Sequence, residues 1–588
     1  MKTKESLFND LVRYTRFVWQ IPNMQRISPL IQFMMEGICD ELHLLYGKLD
    51  DTNLDILEKL VKNLSPSVFN YVRPGHAVLH IKTDASLPEL RLDRTTSFYV
   101  KTPPLDFKEQ NMSSLLFTPV TDTRLTDASI TRLFCKNTMW ETDAVGNRTM
   151  LFQSERKAKY NTVWFGMEMA TSVRMLKDLP FYIDFPYLDN SHSYFDLLSE
   201  TQWSVHGQPV KMKRGLPVPA DMQPNRTEKD IINFYKDHYQ TLPKLNLDKI
   251  SKQKLPDELV EIIPEETASS LTPLYWFSIT FPPHFREDDI EKIRILLNAF
   301  PVINRYYNEY RVSAQEDLTK VISLSSGVSE EFLEIDSIIH HTGEESHPVK
   351  HYAVDAIKKD SAAIFGLSDK LEKLIDVLRD KKTAFPSNID NDKLIEVFNS
   401  VLSVQNSDTF EMEHNRLSAN AEVARLVVPP AEKVTAMSIY YWNTHAHLLN
   451  GLPALTALMA HKVQELNKTE AVFLTPVSGG RSFLDSESKT NILMYYLTAK
   501  DRILTKNDIE NFCRIELGGY VRDIKAVHNA RISPKYHEGT VNVIEIHILP
   551  YAEHIEFIKN NSILKDLRLR LESRSPENYR YNILIREQ

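Results

Sequence analysis

The segment Met35–Gly75, MEGICDELHLLYGKLDDTNLDILEKLVKNLSPSVFNYVRPG, runs straight into Ala77–Lys82, AVLHIK. Met34, Ile38, Leu42, Leu45 and Leu49 recur three or four residues apart, and so do Leu54, Leu57, Val61 and Leu64. That spacing predicts two helices, each with one apolar face. Thr52 and Asn53 suit the N-cap of the second, Pro66 cannot continue it, and Arg73-Pro74 favours an extended exit. A strand is then expected, with Ala77, Leu79 and Ile81 on one face and His80 and Lys82 on the other. With a further helix around Leu7–Trp19, residues 1–72 hold three short amphipathic helices, a poor core on their own. Ile38, Leu42, Leu45, Leu49, Leu54, Leu57, Val61 and Leu64 are therefore expected to meet a partner.

Downstream, the pattern changes from period 3.6 to period 2. Short apolar or alternating runs at Ser97–Lys101, Arg132–Lys136, Thr162–Met169, Pro180–Pro186 and Thr201–Gly207 predict strands separated by Pro- and Asn-bearing loops. The linker Arg214–Arg226, RGLPVPADMQPNR, closes this wing. Helix is expected over 227–250, a strand at Tyr275–Thr280, a short helix at Glu287–Leu297 and a β-domain over Ser313–Ser361. Leu371, Leu374, Ile375 and Leu378 share a helical face, and another helix is expected to end near Val404. After Pro429-Pro430, Met437–Leu466 reads as helical and Ala471–Thr475 as a strand. Thr505 caps a helix with Asp508 three positions on. Strands Val521–Ala530 and Val541–Ile548, a helix near Ala552–Asn560 and the runs Leu567–Leu571 and Tyr579–Ile585 complete the chain. The fold class expected is thus a multidomain α+β protein. It comprises an N-terminal helical bundle element (1–72), a β-rich wing (73–226), a mixed middle domain (227–428) and a C-terminal α+β pairing domain (429–588).

Composition narrows the function classes. A length of 588 residues exceeds one core. A net charge of −9 argues against nucleic acid and against an anionic membrane surface. Cys39, Cys135 and Cys513 are far apart and lack metal spacing, as expected of reduced thiols in the cytoplasm. No run approaches the ~18 apolar residues of a membrane span, and the first ten residues lack a signal-peptide core. With 16 Gly against 30 Pro, the chain spends little on the close backbone approaches that nucleotide cradles need.

Candidate chemistry is sparse. His340, His341, His347 and His351 cluster, but Pro348 breaks the helical face that a His347/His351 pair would require for zinc, so loop histidines are the plainer reading. His445 and His447 lack a third ligand nearby. Ser478-Gly479-Gly480-Arg481 lacks the further glycines of a phosphate loop and reads as a tight turn. Cys135 sits in an apolar run, where a buried thiol is the default. Asn304–Tyr310, NRYYNEY, with Arg305 inside it and Arg311 next to it, is either an aromatic interface or a half-buried edge. No hydrolase elbow, kinase set or zincin motif occurs. The expectation is a protein with no catalytic activity, cofactor or metal.

Met35-Glu36-Gly37, Lys48-Leu49-Asp50-Asp51, Leu57–Pro66 and Arg73-Pro74 together resemble the N-terminus of the VasA/TssF family, baseplate subunits of type VI secretion systems. Leu297–Asn304, LNAFPVIN, resembles that family's internal turn. Arg502, Thr505 and Asp508 look more like the end of baseplate J-like wedge proteins of contractile phage tails. The resemblance implies a structural wedge subunit that assembles with a TssG-like partner by helix bundling. It also implies a second copy of the chain, a TssK-like adaptor, a TssE-like sheath initiator, and a cytoplasmic location near the inner membrane. A baseplate J-like protein of a phage tail-like particle is the alternative within this class. From another class, a β-rich carbohydrate-active enzyme would need a carboxylate-lined cleft.

Overall fold

A computed structural model describes residues 72–357, 423–427 and 435–586, apart from short internal stretches such as 102–114, 314–321 and 483–491. Before Val72 it describes only Leu11, Arg13, Tyr14, Val18, Ile38 and Cys39. The described residues are mostly β, with 47% of them in strands and 22% helical. That overturns the α+β class expected from sequence, and no N-terminal helical bundle stands among the described residues.

At the centre is a closed six-stranded barrel, in the order His76–Ile81, Ala299–Asn304, Leu116–Pro119, Ser97–Val100, Ala457–His461, Ala471–Phe473. Its strands come from widely separated parts of the chain. Alternation along the first strand sends Ala77, Leu79 and Ile81 inward to Phe98, Phe117, Phe300 and Phe473. Its other face is buried too. Val78 joins Ile303 and Leu474 in a cluster with Ile231, Phe234 and Tyr235 of helix α1 (Arg226–Tyr235) and with Tyr239 and Tyr182. Closing the sheet leaves it no open edge.

Beside the barrel, a seven-stranded sheet runs in the order 208–210, 202–205, 275–280, 162–168, 129–135, 138–142, 148–153. One face packs on a four-stranded sheet (213–214, 239–246, 175–184, 294–296) through Phe165, Phe181, Trp203 and Phe277. The other face is covered by the 255–274 segment through Leu255, Leu259, Ile263 and Leu274 on Trp164 and Trp276. Gly166 permits this cover, since a Cβ there would lie 2.6 Å from Leu274 Cδ1. A second four-stranded sheet follows the barrel: Tyr306–Ser313, Ala436–Thr444, Glu331–Thr342, Glu345–Pro348. The chain ends in a three-stranded sheet in which Val521–Ile532 pairs antiparallel with Thr540–Pro550, and Tyr581–Ile585 parallel to it. Helices α2 (Lys506–Leu517) and α3 (Asn561–Arg574) cover that sheet.

Three helical readings fail, for related reasons. Met437–Leu466 holds two strands, 436–444 and 457–461, because Ser438–Trp442 is buried on both faces and so lacks alternation. A continuous apolar run fits a 3.6 period as well as a 2 period. Within 227–250, α1 stops at Tyr235 and a strand starts at Tyr239. Glu287–Leu297 is helical only to Ile290, after which 294–296 pairs in a sheet. The helices expected at 371–378 and before Val404 lie outside the described residues.

Candidate functional site

The strand that follows Arg73-Pro74 and the strand inside Leu297–Asn304 are hydrogen-bonded neighbours. His76 pairs with Ile303, Ala77 with Val302 and Leu79 with Phe300, so Arg73-Pro74 and LNAFPVIN belong to one unit of the barrel. Both asparagines of the second segment act as clamps. Asn298, at φ 52, accepts from the Thr126 amide at 2.9 Å and donates to its carbonyl at 2.7 Å. Asparagine tolerates that left-handed conformation. Asn304 is fully buried; it donates to Leu116 O and accepts from Thr444 Oγ1 and the His445 amide.

Directly after Asn304, the barrel strand turns into the second four-stranded sheet, and there Arg305 is buried at 1% exposure. Its Nε donates to Thr118 Oγ1 at 2.7 Å, one terminal nitrogen to Glu228 Oε1 at 2.7 Å, and the other to Pro119 O at 3.0 Å. The guanidinium also lies 4.1 Å from the Trp442 ring centre. Glu228 has two duties. It closes a capping box with Asn225 at the start of α1 and it neutralises Arg305. Arg94 continues the network, 2.5 Å from Asp336 and 3.7 Å from Glu228, and the Trp442 indole donates to Asp336 at 3.4 Å. Three carboxylates (Glu228, Glu334, Asp336) thus face two guanidiniums. Burial, with Glu228 and Asp336 close by, pushes the Glu334 carboxyl up to about 7 against the pull of Arg305 and Arg94. Asn225 Nδ2 donates to Glu334. One network therefore joins barrel, helix α1 and sheet.

A second junction ties the barrel to the C-terminal unit. Arg73 donates to both Glu516 oxygens at 2.7 and 2.8 Å, while Arg481 lies 3.6 Å from the same carboxylate and donates to Ile515 O. Burial pushes the Glu516 carboxyl up, but Arg73, Arg570 and Arg481 outweigh it and hold the group well below the usual range. Arg73 and Arg481 are bridged through their backbones. Gly479 and Gly480 make this possible. A Cβ on Gly479, at φ +83, would meet His76 Nε2 at 2.4 Å, and one on Gly480 would meet Ala446 O at 2.1 Å. The glycines serve close packing in an extended stretch bridged at Ser478 and Arg481, not the tight turn expected from sequence.

Of the expected partner-contact residues, Ile38 is 49% exposed and its neighbour Cys39 is buried. Leu42, Leu45, Leu49, Leu54, Leu57, Val61 and Leu64 lie outside the described residues. His340 sits opposite His347 in a hairpin, and His341 bonds Ser346 and Ser438; His351 lies outside the description. No group of three metal-ligating side chains occurs among the described residues. His445 is buried 2.7 Å from Tyr306 Oη. Burial pushes the Cys135 thiol up to about 12 and the Cys513 thiol higher still. Thr505 and Asp508 form the expected capping box. In NRYYNEY, Tyr306 is buried, while Tyr307 and Tyr310 are exposed on an edge strand, with Tyr307 stacked on Tyr440.

Glu228 and Glu516 are not singled out by the sequence, and Arg305 is marked there only as part of a possible aromatic interface. For Glu228 a signal existed, the Asn225-x-x-Glu228 capping pattern before an apolar run.

No family model and no curated protein matches the sequence. Among solved structures, a chain from the type VI secretion system TssK-TssF-TssG baseplate subcomplex, determined by cryo-electron microscopy, is similar at a TM-score of 0.42 and 10% identity. The match covers 94% of this chain and 96% of that one. Among the described residues, no helix is long and apolar enough to cross a membrane.

Proposed function

We propose that this chain is a structural baseplate subunit of a type VI secretion system or a related contractile injection machine, and that it carries no reaction of its own. The observation behind this reading is that the strand following Arg73-Pro74 pairs with the strand inside LNAFPVIN. The two are far apart in sequence, yet they form adjacent barrel strands, each next to a junction of buried charge. Charge placed between units, with its donors satisfied, resists their separation; it does not line a cleft where a substrate could react.

In this proposal the neighbours are a TssG-like subunit, a second copy of the chain, a TssK-like adaptor and a TssE-like sheath initiator, working in the cytoplasm. The apolar side chains Ile38, Leu42, Leu45, Leu49, Leu54, Leu57, Val61 and Leu64 would meet the TssG-like subunit. The test is co-purification of the tagged chain from its native cell, with mass spectrometry of what comes with it. Recovery of a TssG-like subunit, lost on Leu57→Asp or Val61→Asp, is the expected result. Recovery of the chain without any baseplate component, or wild-type recovery by both charged variants, would overturn the proposal.

A further inference from the structure

Asn450-Gly451 is the one Asn-Gly step in the 588 residues. Glycine has no side chain to shield its nitrogen, so such a step is the one most open to attack of that nitrogen on the asparagine side chain. Both residues are exposed, and a Cβ on Gly451 would find nothing within 4 Å. The step follows the 3₁₀ turn Ala446–Leu449 and runs beside Val477–Arg481, at the junction of the barrel with the C-terminal unit.

Hydrogen bonds hold this step away from reaction. Asn450 grips both backbone groups of Gly480: its Nδ2 donates to Gly480 O at 2.7 Å, and its Oδ1 accepts from the Gly480 amide at 2.9 Å. The Gly451 amide donates to Val477 O at 2.9 Å, and the Val477 amide donates to Leu452 O at 2.9 Å. The Asn450 backbone is extended, at φ −61 and ψ 136. To reach Cγ, the Gly451 nitrogen must rotate to the Cβ side of the Asn450 Cα–C bond and lose its proton. The extended ψ opposes the rotation, and the bond to Val477 O shields the proton from solvent base. Only separation of 450–452 from 477–480 frees nitrogen and side chain together. Gly480 also precedes Arg481, which bridges Arg73 through the backbone and lies 3.6 Å from Glu516.

We propose that Asn450 is a site of covalent conversion, reached when 450–452 parts from 477–480, and that conversion loosens this junction irreversibly. In the step, the Gly451 nitrogen gives its proton to solvent base and bonds to Asn450 Cγ. The Cγ–Nδ2 bond breaks and ammonia leaves. Water then opens the cyclic imide at either carbonyl, leaving aspartate or isoaspartate, with nothing oxidised or reduced. Either product is a carboxylate that only accepts, so it sets a negative charge against Gly480 O where Nδ2 had donated. Isoaspartate also lengthens the main chain by one carbon and displaces Gly451 from Val477. This inference is independent of the baseplate reading.

The test compares the full chain with a synthetic peptide of residues 445–456 in one mildly alkaline buffer at physiological temperature. Peptide mapping by mass spectrometry follows the amide-to-acid mass gain at Asn450, and isoaspartyl methyltransferase labelling counts the isoaspartate. Hydrogen exchange of the Gly451 amide, read on parallel samples, gives the fraction of time the pairing is open. Conversion in the full chain should be slower than in the peptide by the factor that protects this amide, at least about tenfold. Gly480→Ala would crowd Asn450 Oδ1 at 2.9 Å as well as Ala446 O, and should speed conversion, with exchange at 521–550 as the control for folding. Asn450→Asp, made directly, should speed exchange at 477–481 about tenfold and leave 521–550 protected. The proposal fails if Asn450 stays intact over a time in which the measured opening predicts conversion, or converts faster than that opening allows. It fails equally if Asn450→Asp leaves exchange at 477–481 unchanged.

Discussion

Replacing Arg305 by Met tests whether the buried charge network holds barrel, helix and sheet together. Met fills a similar volume but strips three donors from Thr118, Glu228 and Pro119 and leaves Glu228, at 0% exposure, without its nearest cation. Arg94 at 3.7 Å offers only partial compensation. Breaking a buried pair on one side costs about 3–5 kcal/mol, because the surviving charge stays buried. Glu228→Gln should cost less, about 1–3 kcal/mol, since a Gln side chain can still accept from Asn225 and keep the capping box. It also leaves two carboxylates facing two guanidiniums. The double variant Arg305→Met/Glu228→Gln removes both charges and should be less damaged than Arg305→Met alone by about 2 kcal/mol. A chain with several units does not unfold in two states, so one global melting temperature would mislead. The suitable assay is urea-dependent hydrogen exchange, read at the amides of 226–235 and 299–304 and compared with those of 521–550 as an internal control. If the costs of the two single replacements simply add, the pair is not coupled and the reasoning fails.

Three further outcomes follow from the same geometry. Glu334 holds its proton to about 7 in the folded chain against 4.5 when free, so its contribution to stability is fully present below 4.5 and is lost as pH rises through 7. Glu334→Gln should flatten that fall, worth at most about 3 kcal/mol at pH 8, as read from hydrogen exchange of 331–342 across pH; an unchanged slope would exclude it. Gly480→Ala drives a Cβ to 2.1 Å from Ala446 O, a backbone atom that cannot swing aside. It should cost about 3 kcal/mol, visible as faster exchange at 446–452 and 477–481, and a neutral effect would refute the close-approach role. Arg73→Met leaves buried Glu516 with only Arg481, at 3.6 Å, and Arg570 to offset its charge and should speed proteolysis between the barrel and α2 by at least about tenfold, while the 521–550 hairpin stays protected.

Short runs rich in aromatic and β-branched residues between loop signals were legible as strands in the sequence even where both faces are buried. Thr162–Glu168 and Tyr275–Thr280 lie where their patterns placed them, and they pair with each other. What two-sided burial hid was the facing of a side chain and the period of a longer run. His76–Ile81 is buried at every position, so His80 reads as solvent-facing in the sequence although it is 5% exposed in the fold. Met437–Thr444, also buried on both faces, carries no alternation and reads as helix in the sequence. Barrel closure is invisible to any local period, since it depends on pairing 76–81 with 299–304 and 471–473.

Buried charge is the harder case. An arginine in NRYYNEY carries no mark that separates a guanidinium stacked on Trp442 from one in water, because its partners Thr118, Glu228 and Trp442 come from three distant segments. The motif nonetheless divides its work by position. Asn304 and Arg305 point into the junction, while Tyr307 and Tyr310 two and five residues beyond Arg305 stand in solvent on an edge strand. Tyr306 is thus an interior residue, and Tyr307 and Tyr310 are the exposed ones an interface would use. The buried half secures the strand against the barrel and so holds the exposed tyrosines in a constant orientation. An exposed ring held in place loses little entropy when covered, and with Tyr307 and Tyr310 three residues apart the strand offers one on each face. Tyr307→Ala with Tyr310→Ala should then weaken subunit capture in the co-purification while leaving exchange at 299–304 unchanged; loss of protection there would show that the tyrosines serve the fold.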